Sequence, residues 1–310
     1  MTTRAVVDIG TNSVKLLIAT VDGTEIDPLD QQSVQTRLGR GLYETRRLST
    51  EAIAATAKVL ADYRARADSR RASSFRVLAT SAARDAENGH ELAAAIRAAS
   101  GAELEIISGD REAALVYAGV RSQSDRSGQT VLAVDVGGGS TEFILGDDEA
   151  PLFSASYQLG TVRMLSRMQL GNPPGGAALE ECLTNLRRLL ATEVAPRLGP
   201  AMSQLSQAPL EVIGPGGTTT FLARIHHATD EFDRQRFEAT RFSVVDLRSL
   251  TGRLWNMSQS ERENLPGLPA NRADVILLGT AIYLAVLEQF NVPHLRVCTR
   301  GLRFGLLLEH

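Results

Sequence analysis

The sequence predicts an α/β fold of two related domains facing each other across a cleft, and three observations predict it. Strand-like apolar runs alternate with helical ones along most of the 310 residues. Three of those runs end in glycine turns, "DIGTNS", "DVGGGSTE" and "IGPGGTTT". The first two also echo each other: shifted by 127 residues, "VVDIGTNSVKLLIA" lies over "AVDVGGGSTEFILG", with Asp8 on Asp135, Gly10 on Gly137, Ser13 on Ser140 and Lys15 on Glu142. A chain of this length also exceeds what one core usually organises, so two domains are the default.

The elements follow in order. Residues 4 to 20 read as strand, tight turn, strand. "GTEIDPLDQQSVQTRLGRGL" reads as strand and loop, and "STEAIAATAKVLADYRARA" as a helix opened by a Ser-Thr cap and an acid. "SSFRVLATSAARDA" is a strand leading into a polar loop that carries Arg84. "GHELAAAIRAAS" is a helix ended by Gly101, and "AELEIIS" a strand. "GDREAALVYAGVRSQS" is a helix with Asp110 as its expected cap and Glu112 in its first turn. The polar "QSDRSGQ", 123 to 129, places the boundary between a first domain, 1–124, and a second, 125–310. Beyond it come the second hairpin, a helical segment from about 160 broken at "GNPPGGA", the helix "LEECLTNLRRLLATEV", and the strand and glycine turn "VIGPGGTTT" with helical "FLARIHH". An arginine-rich loop, a buried helix (273–290), the strand "HLRVC" and a last helical stretch close the chain. That stretch, 300–310, is a candidate to pack back on the first domain.

Composition is that of a globular protein, 43% apolar and 22% charged, which argues against disorder. A net charge of −3 argues against a general binder of nucleic acid or membrane surfaces, so any polyanion must be met by a local cleft. Cys182 and Cys298 are isolated, which fits a reducing compartment and offers no CxxC knuckle. The N-terminus shows no signal-peptide pattern, and the longest apolar run, 275 to 287, is too short for a bilayer, so a cytoplasmic protein is expected.

The turns carry the chemistry. Glycine lets backbone amides approach a ligand closely, and consecutive N–H groups in a concavity form an anion nest. The second turn offers the amides of Gly137, Gly138, Gly139, Ser140 and Thr141 with two hydroxyls. The first offers Gly10, Thr11, Asn12 and Ser13. Facing each other, two such turns would clamp one phosphate chain. Asp8 and Asp135 at the strand ends would repel it unless a hard divalent cation, Mg²⁺, stood between. The third turn, Gly216, Gly217 and Thr218, opens a helix and is a further phosphate candidate. For hydrolysis, Glu112 and Glu142 are acids placed to act on water. A helix-dipole role for the one and a solvent-facing strand position for the other are the ordinary alternatives. Arg84 could hold a phosphate through its fork. His226, His227 and Asp230 are a weak metal candidate, Trp255 reads as core, and "YRARADSRR" as a solvated helix face.

Taken in order, "DIGTNSVKLLIA", "RLGRGL", "ATSAARDAEN", "IISGDREAALVYAGV", "VDVGGGSTEFIL", "GPGGTTTFLA" and "RADVILLGTAIYLAVLEQF" leading to "TRGLRFGLLLE" resemble the exopolyphosphatase and guanosine pentaphosphate phosphohydrolase family, in the superfamily of actin, sugar kinases and heat-shock ATPases. The resemblance implies two actin-like, ribonuclease H-like domains of the short type, and a homodimer. It implies Glu112 as the base toward water, Asp135 and Glu142 as cleft carboxylates associated with metal and water, and Asp8 as the first-turn acid. Lys15, Arg84 and, with less support, Arg272 would face phosphate. The sequence departs from the family in Arg111, where a first acid often stands, and in Lys15, where arginine is common. Polyphosphate and guanosine pentaphosphate both remain as substrates, with polyphosphate favoured for want of a visible purine pocket. A kinase of the same superfamily and a non-catalytic phosphate-chain or alarmone sensor are the rival classes.

Overall fold

The computed structural model describes residues 1–123, 129–147, 150–205 and 210–309. Most of the polar stretch that divides the two predicted domains, 124–128, lies outside the described residues. Among those described, two sheets form. The first joins β1 (Thr2–Ile9), β2 (Ser13–Asp22), β3 (Glu25–Gln35), β4 (Ser74–Ala79) and β5 (Leu104–Ile106) in the order β3-β2-β1-β4-β5. The second joins β6 (Val131–Val136), β7 (Thr141–Gly146), β8 (Pro151–Tyr157), β9 (Glu211–Pro215), β10 (Arg241–Ser243) and β11 (His294–Cys298) in the order β10-β11-β9-β6-β7-β8. Without β10 the two orders match strand for strand. In both, an antiparallel three-strand meander is followed by two parallel strands. The short sequence echo thus reports a repeated topology, that of the actin-like fold.

Helices flank the sheets. In the first half they are α1 (Leu42–Thr45), α2 (Thr50–Ser69), α3 (Ser81–Asp85), α4 (Gly89–Ser100) and α5 (Gly109–Arg121). In the second they are α6 (Thr161–Leu165), α7 (Gly175–Leu189), α8 (Ala195–Met202), α9 (Gly217–His227), α10 (Arg234–Glu238), α11 (Val244–Asn256), α12 (Gln259–Glu263), α13 (Ile276–Gln289) and α14 (Leu302–Leu308). Each sheet buries its own core: Leu16, Leu60 and Tyr63 in the first, and Phe143, Trp255 and Tyr283 in the second. Trp255 is a core residue with its Nε1 donating to Leu277 O at 3.1 Å, and α13 is buried over nearly its whole length. No helix among the described residues is long and apolar enough to cross a membrane.

A third apolar cluster matters most for the site, because it joins the sheets. Val6, Leu17 and Leu78 of the first sheet and Val131, Ala133 and Ile213 of the second meet on Ala113, Val116 and Val120 of α5 and on Phe304 and Leu306 of α14. The last helix therefore packs on α5 and β1. The crossing is close enough that a Cβ on Gly305 would strike the backbone of Leu115, and one on Gly119 the backbone of Gly301. Both faces of α5 being packed, its first turn is fixed between the two sheets.

Some local expectations are corrected. Ser108, not Asp110, caps α5: its side chain accepts from Arg111 N at 3.2 Å, because the extended residue before Gly109 is the one whose hydroxyl can reach back to the third amide. Arg84 lies in the short helix α3 rather than a loop. The arginine-rich loop contains α10 and β10. The stretch "YRARADSRR" closes α2 with the exposed pairs Arg64–Asp68 and Arg66–Asp62, while its Tyr63 is buried.

Candidate active site

The two hairpin turns have one backbone design. Gly10 N donates to Ser13 O at 2.9 Å, and Gly137 N to Ser140 O at 3.0 Å. The register puts Asp8 opposite Lys15 and Asp135 opposite Glu142. Each strand delivers its acid at the sheet end nearest the cleft, and both turns line a single cavity. Asp8, Gly10, Thr11, Asn12, Ser13 and Lys15 form one wall. Asp135, Gly137, Gly138, Gly139, Ser140 and Glu142 form the other, with Glu112, Gly217, Thr218 and Arg272 closing the ends.

The turns also touch. A Cβ on Gly138 would stand 3.0 Å from Thr11 Cβ, and one on Gly139 would meet Ser81 Oγ, Tyr43 Oη at 2.6 Å and Thr11 Oγ1 at 2.8 Å. The run of glycines therefore has a packing cause as well as a chemical one: Thr11 of the first turn fills the space that side chains would occupy in the second.

Electrostatically the cavity is rich in buried acids. Glu112 and Glu142 are 8% and 1% exposed. Burial first, then the neighbouring Glu142, Asp8 and Asp135, push the Glu112 carboxyl well above the usual range against the pull of Arg84. Burial and then Glu142 push Asp135 up to about 7. Glu142 is raised by burial and held partly down by Ser156, whose hydroxyl donates to Oε1 at 2.7 Å, and by Ser140. Lys15 Nζ, 3.9 Å from Asp8 Oδ2, is the cation on the first wall.

Not every predicted residue reaches the cavity. Arg84 stands behind Glu112: its Nη1 donates to Ile107 O at 2.8 Å and to Glu112 Oε2 at 3.2 Å, and it lines a neighbouring hollow with Asp85 and Arg163. It aims Glu112 rather than opening onto the cavity. The Thr141 hydroxyl is spent on Leu159 O, and the residue, fully buried between Val136 and Tyr157 in the sheet, does not line the cavity. Gly216, at φ +91° before α9, packs against the Asp135 carboxylate, while Gly217 and Thr218 face the cavity and Thr218 Oγ1 donates to Val136 O at 3.3 Å. Arg272 bonds Ser13 Oγ across the cleft and lies over the Phe221 ring, 5.4 Å from its centre. The His226 and His227 rings meet edge to face, 4.8 Å apart, with His227 Nε2 on Thr240 Oγ1 at 2.9 Å. Among the described residues no group of three or more His, Cys, Asp and Glu side chains is gathered for one ion, there or in the cleft. Sequence reading missed Thr80, Ser81 and Thr161, which line the cavity, and Arg163, which holds Gly139 O. Only their positions just after a strand or a "GT" step hinted at them.

Residues 17–310 match the family model described as the Ppx/GppA phosphatase family. The chain belongs to that family, whose members are hydrolases of phosphoanhydride bonds. It is 35% identical to exopolyphosphatase 2 of Mycobacterium tuberculosis over all of this chain and 98% of that one. It is 28% identical to exopolyphosphatase 1 of the same organism, over 98% and 87%. Among solved structures, an exopolyphosphatase from Cytophaga hutchinsonii superposes with a TM-score of 0.87 at 26% identity, over 98% of this chain and 96% of that one. The Aquifex aeolicus Ppx/GppA family member gives 0.80 at 27% identity, over 99% and 96%.

Proposed function

We propose that this family member is a Mg²⁺-dependent exopolyphosphatase that releases the terminal phosphate of inorganic polyphosphate by attack of water. One observation carries the reading: two anion-nest turns, one from each sheet, share a single cavity with a buried glutamate of raised pKa that neither turn supplies. The turns at Thr11–Ser13 and Gly138–Ser140 would receive phosphate oxygens, the Gly10 and Gly137 amides being engaged within their own turns, with Gly217 and Thr218 at the start of α9 behind them. Lys15 would meet one as a point charge.

The anionic groups lining the cavity are the carboxylates of Asp8, Glu112, Asp135 and Glu142, hard oxygen donors with no His or Cys among them, and their number would repel a phosphate chain unless a cation were present. Mg²⁺ takes one or two carboxylates and completes its shell with water and phosphate, so Asp8, Asp135 and Glu142 suit it without forming a closed cage. When bound it would offset charge on the phosphates. Glu112, positioned by Arg84, would hold the attacking water and take its proton; a carboxylate whose pKa is raised toward the working pH is the stronger base for that transfer. Glu142, fixed by Ser156, stands beside it.

Polyphosphate is preferred to guanosine pentaphosphate because Phe221, the aromatic ring lining the cavity, is already covered by Arg272. The names of the two M. tuberculosis relatives support the same preference. The test is phosphate release from long-chain polyphosphate and from guanosine pentaphosphate in parallel, with Mg²⁺ and with chelator and without any acceptor. Faster Mg²⁺-dependent release from polyphosphate is expected. Faster release from the nucleotide would transfer the assignment to it, and binding without release from either would leave a sensor.

A further inference from the structure

Among the contacts that cross the cleft beside the turns, two are ion pairs. One is open to solvent, with Arg37 Nη2 3.7 Å from Asp274 Oδ2. The other is buried and centres on Arg163 of α6, a residue only 6% exposed. Its Nε donates to Gly139 O at 2.7 Å, its Nη2 pairs with Asp85 Oδ2 on α3, and its guanidinium lies 4.2 Å from the centre of the Tyr43 ring. Asp85 and Tyr43 belong to the first half of the chain, Gly139 and Arg163 to the second.

We propose that Arg163 is a positioning residue that ties closure of the two domains to the shape of the second glycine turn, with Asp85 as its counter-charge. The argument has three steps. Pulling α3 away from α6 exchanges the Arg163–Asp85 pair and the contact with the Tyr43 ring for water, so the closed arrangement is favoured by the excess of those contacts over hydration, to which the charge of Asp85 contributes. The Gly139 carbonyl and the Ser140 amide share one rigid peptide plane, so fixing the carbonyl on Arg163 fixes the direction of an N–H in the turn that lines the cavity. Asp85 in turn accepts from Ser81 Oγ at 3.2 Å, and Ser81 is the residue against which Gly139 packs. Gly139 is thus held on both sides only while the domains are closed. Thr11, on the opposite turn, completes the contact.

The kinetic part of the test rests on the hydrolase reading above; the other part does not. Asp85→Asn keeps the size of the side chain and an acceptor for Ser81 but removes the charge. It is expected to raise KM for polyphosphate about tenfold while kcat falls less than about threefold, since substrate binding must then supply the closure that the ion pair supplied. Arg163→Lys is expected to raise KM similarly, and the double variant no further than either single one. Hydrogen exchange on the substrate-free proteins reads the same contact without turnover: faster exchange at 81–85 and 137–141 is expected in Asp85→Asn, with unchanged rates in α13. Unchanged KM and unchanged exchange would overturn the proposal, as would additive effects in the double variant. If the wild type hydrolysed no polyphosphate but exchange still responded, the positioning role would stand and the substrate assignment would fall.

Discussion

The turns at 8–15 and 135–142 repeat one another in hydrogen bonding and strand register, yet differ at five of their eight positions, and three of the differences explain the cleft. Where the first has Thr11 and Asn12, the second has Gly138 and Gly139, and the side chain of the one occupies the space left by the other. Where the first has Lys15 opposite its acid, the second has Glu142. On the proposed reading, the cation beside Asp8 would make the first turn a grip for phosphate. On the same reading, the second acid beside Asp135 would make the other a place for metal and proton. A repeated scaffold would thereby serve two tasks through a change in the partner of one acid and the loss of side chains from one loop.

The comparison can be broken by exchanging its parts. Glu142→Gln is expected to lower kcat about a thousandfold with little change in KM, whereas Lys15→Gln is expected to raise KM about tenfold with little change in kcat; equal effects on the same parameter would deny the division of labour. Next in size, Gly139→Ala is expected to cost about a hundredfold in kcat/KM, because its methyl group enters Ser81 and Tyr43 and holds the domains apart. Gly10→Ala, whose Cβ would stand 3.3 Å from Ser13 O, is expected to cost less than about tenfold.

Smaller effects sharpen the account of the acids. Mg²⁺ is expected to raise the melting temperature of the wild type by a few degrees in calorimetry, and to lose that effect in Asp8→Asn with Asp135→Asn. The pH dependence follows from Asp135, whose pKa folding raises from 3.8 to about 7. The stability linked to this group is fully present below about pH 4 and is lost as the pH rises through 7, where the folded state must hold a buried charge. In metal-free buffer, Asp135→Asn should therefore gain stability over the wild type between pH 5 and 8, by roughly 2–4 kcal/mol at the upper end, with no gain below pH 4. A constant difference across that range would deny the buried charge.

How much of this was legible in the sequence depended on whether a residue's task was local. The turns, their acids and the repeat were readable because strand, turn and strand lie within sixteen residues and the turn types name themselves. Trp255 and α13 were readable from hydrophobicity alone. Cross-cleft contacts were not: Arg163 is one of 31 arginines, and nothing near it in sequence marks its partner, 78 residues away on α3. Arg84 was found, but not its contact with Glu112: its Nη1 donates to Ile107 O and to Glu112, 23 and 28 residues away in the chain. Thr141 likewise looked like a phosphate donor until its hydroxyl was seen on Leu159 O. The cap of α5 was missed because Arg111 occupies the position where an acid would have completed a capping box with Ser108.

The most direct test of the central claim is the pH-dependent rate of phosphate release from polyphosphate in Mg²⁺, for wild type and Glu112→Gln. The account predicts that the wild-type rate rises with pH as Glu112 loses its proton. It predicts that Glu112→Gln falls about a thousandfold and loses that rise while still binding polyphosphate. Release that survived the substitution with the same pH profile would contradict the assignment of Glu112 as the base.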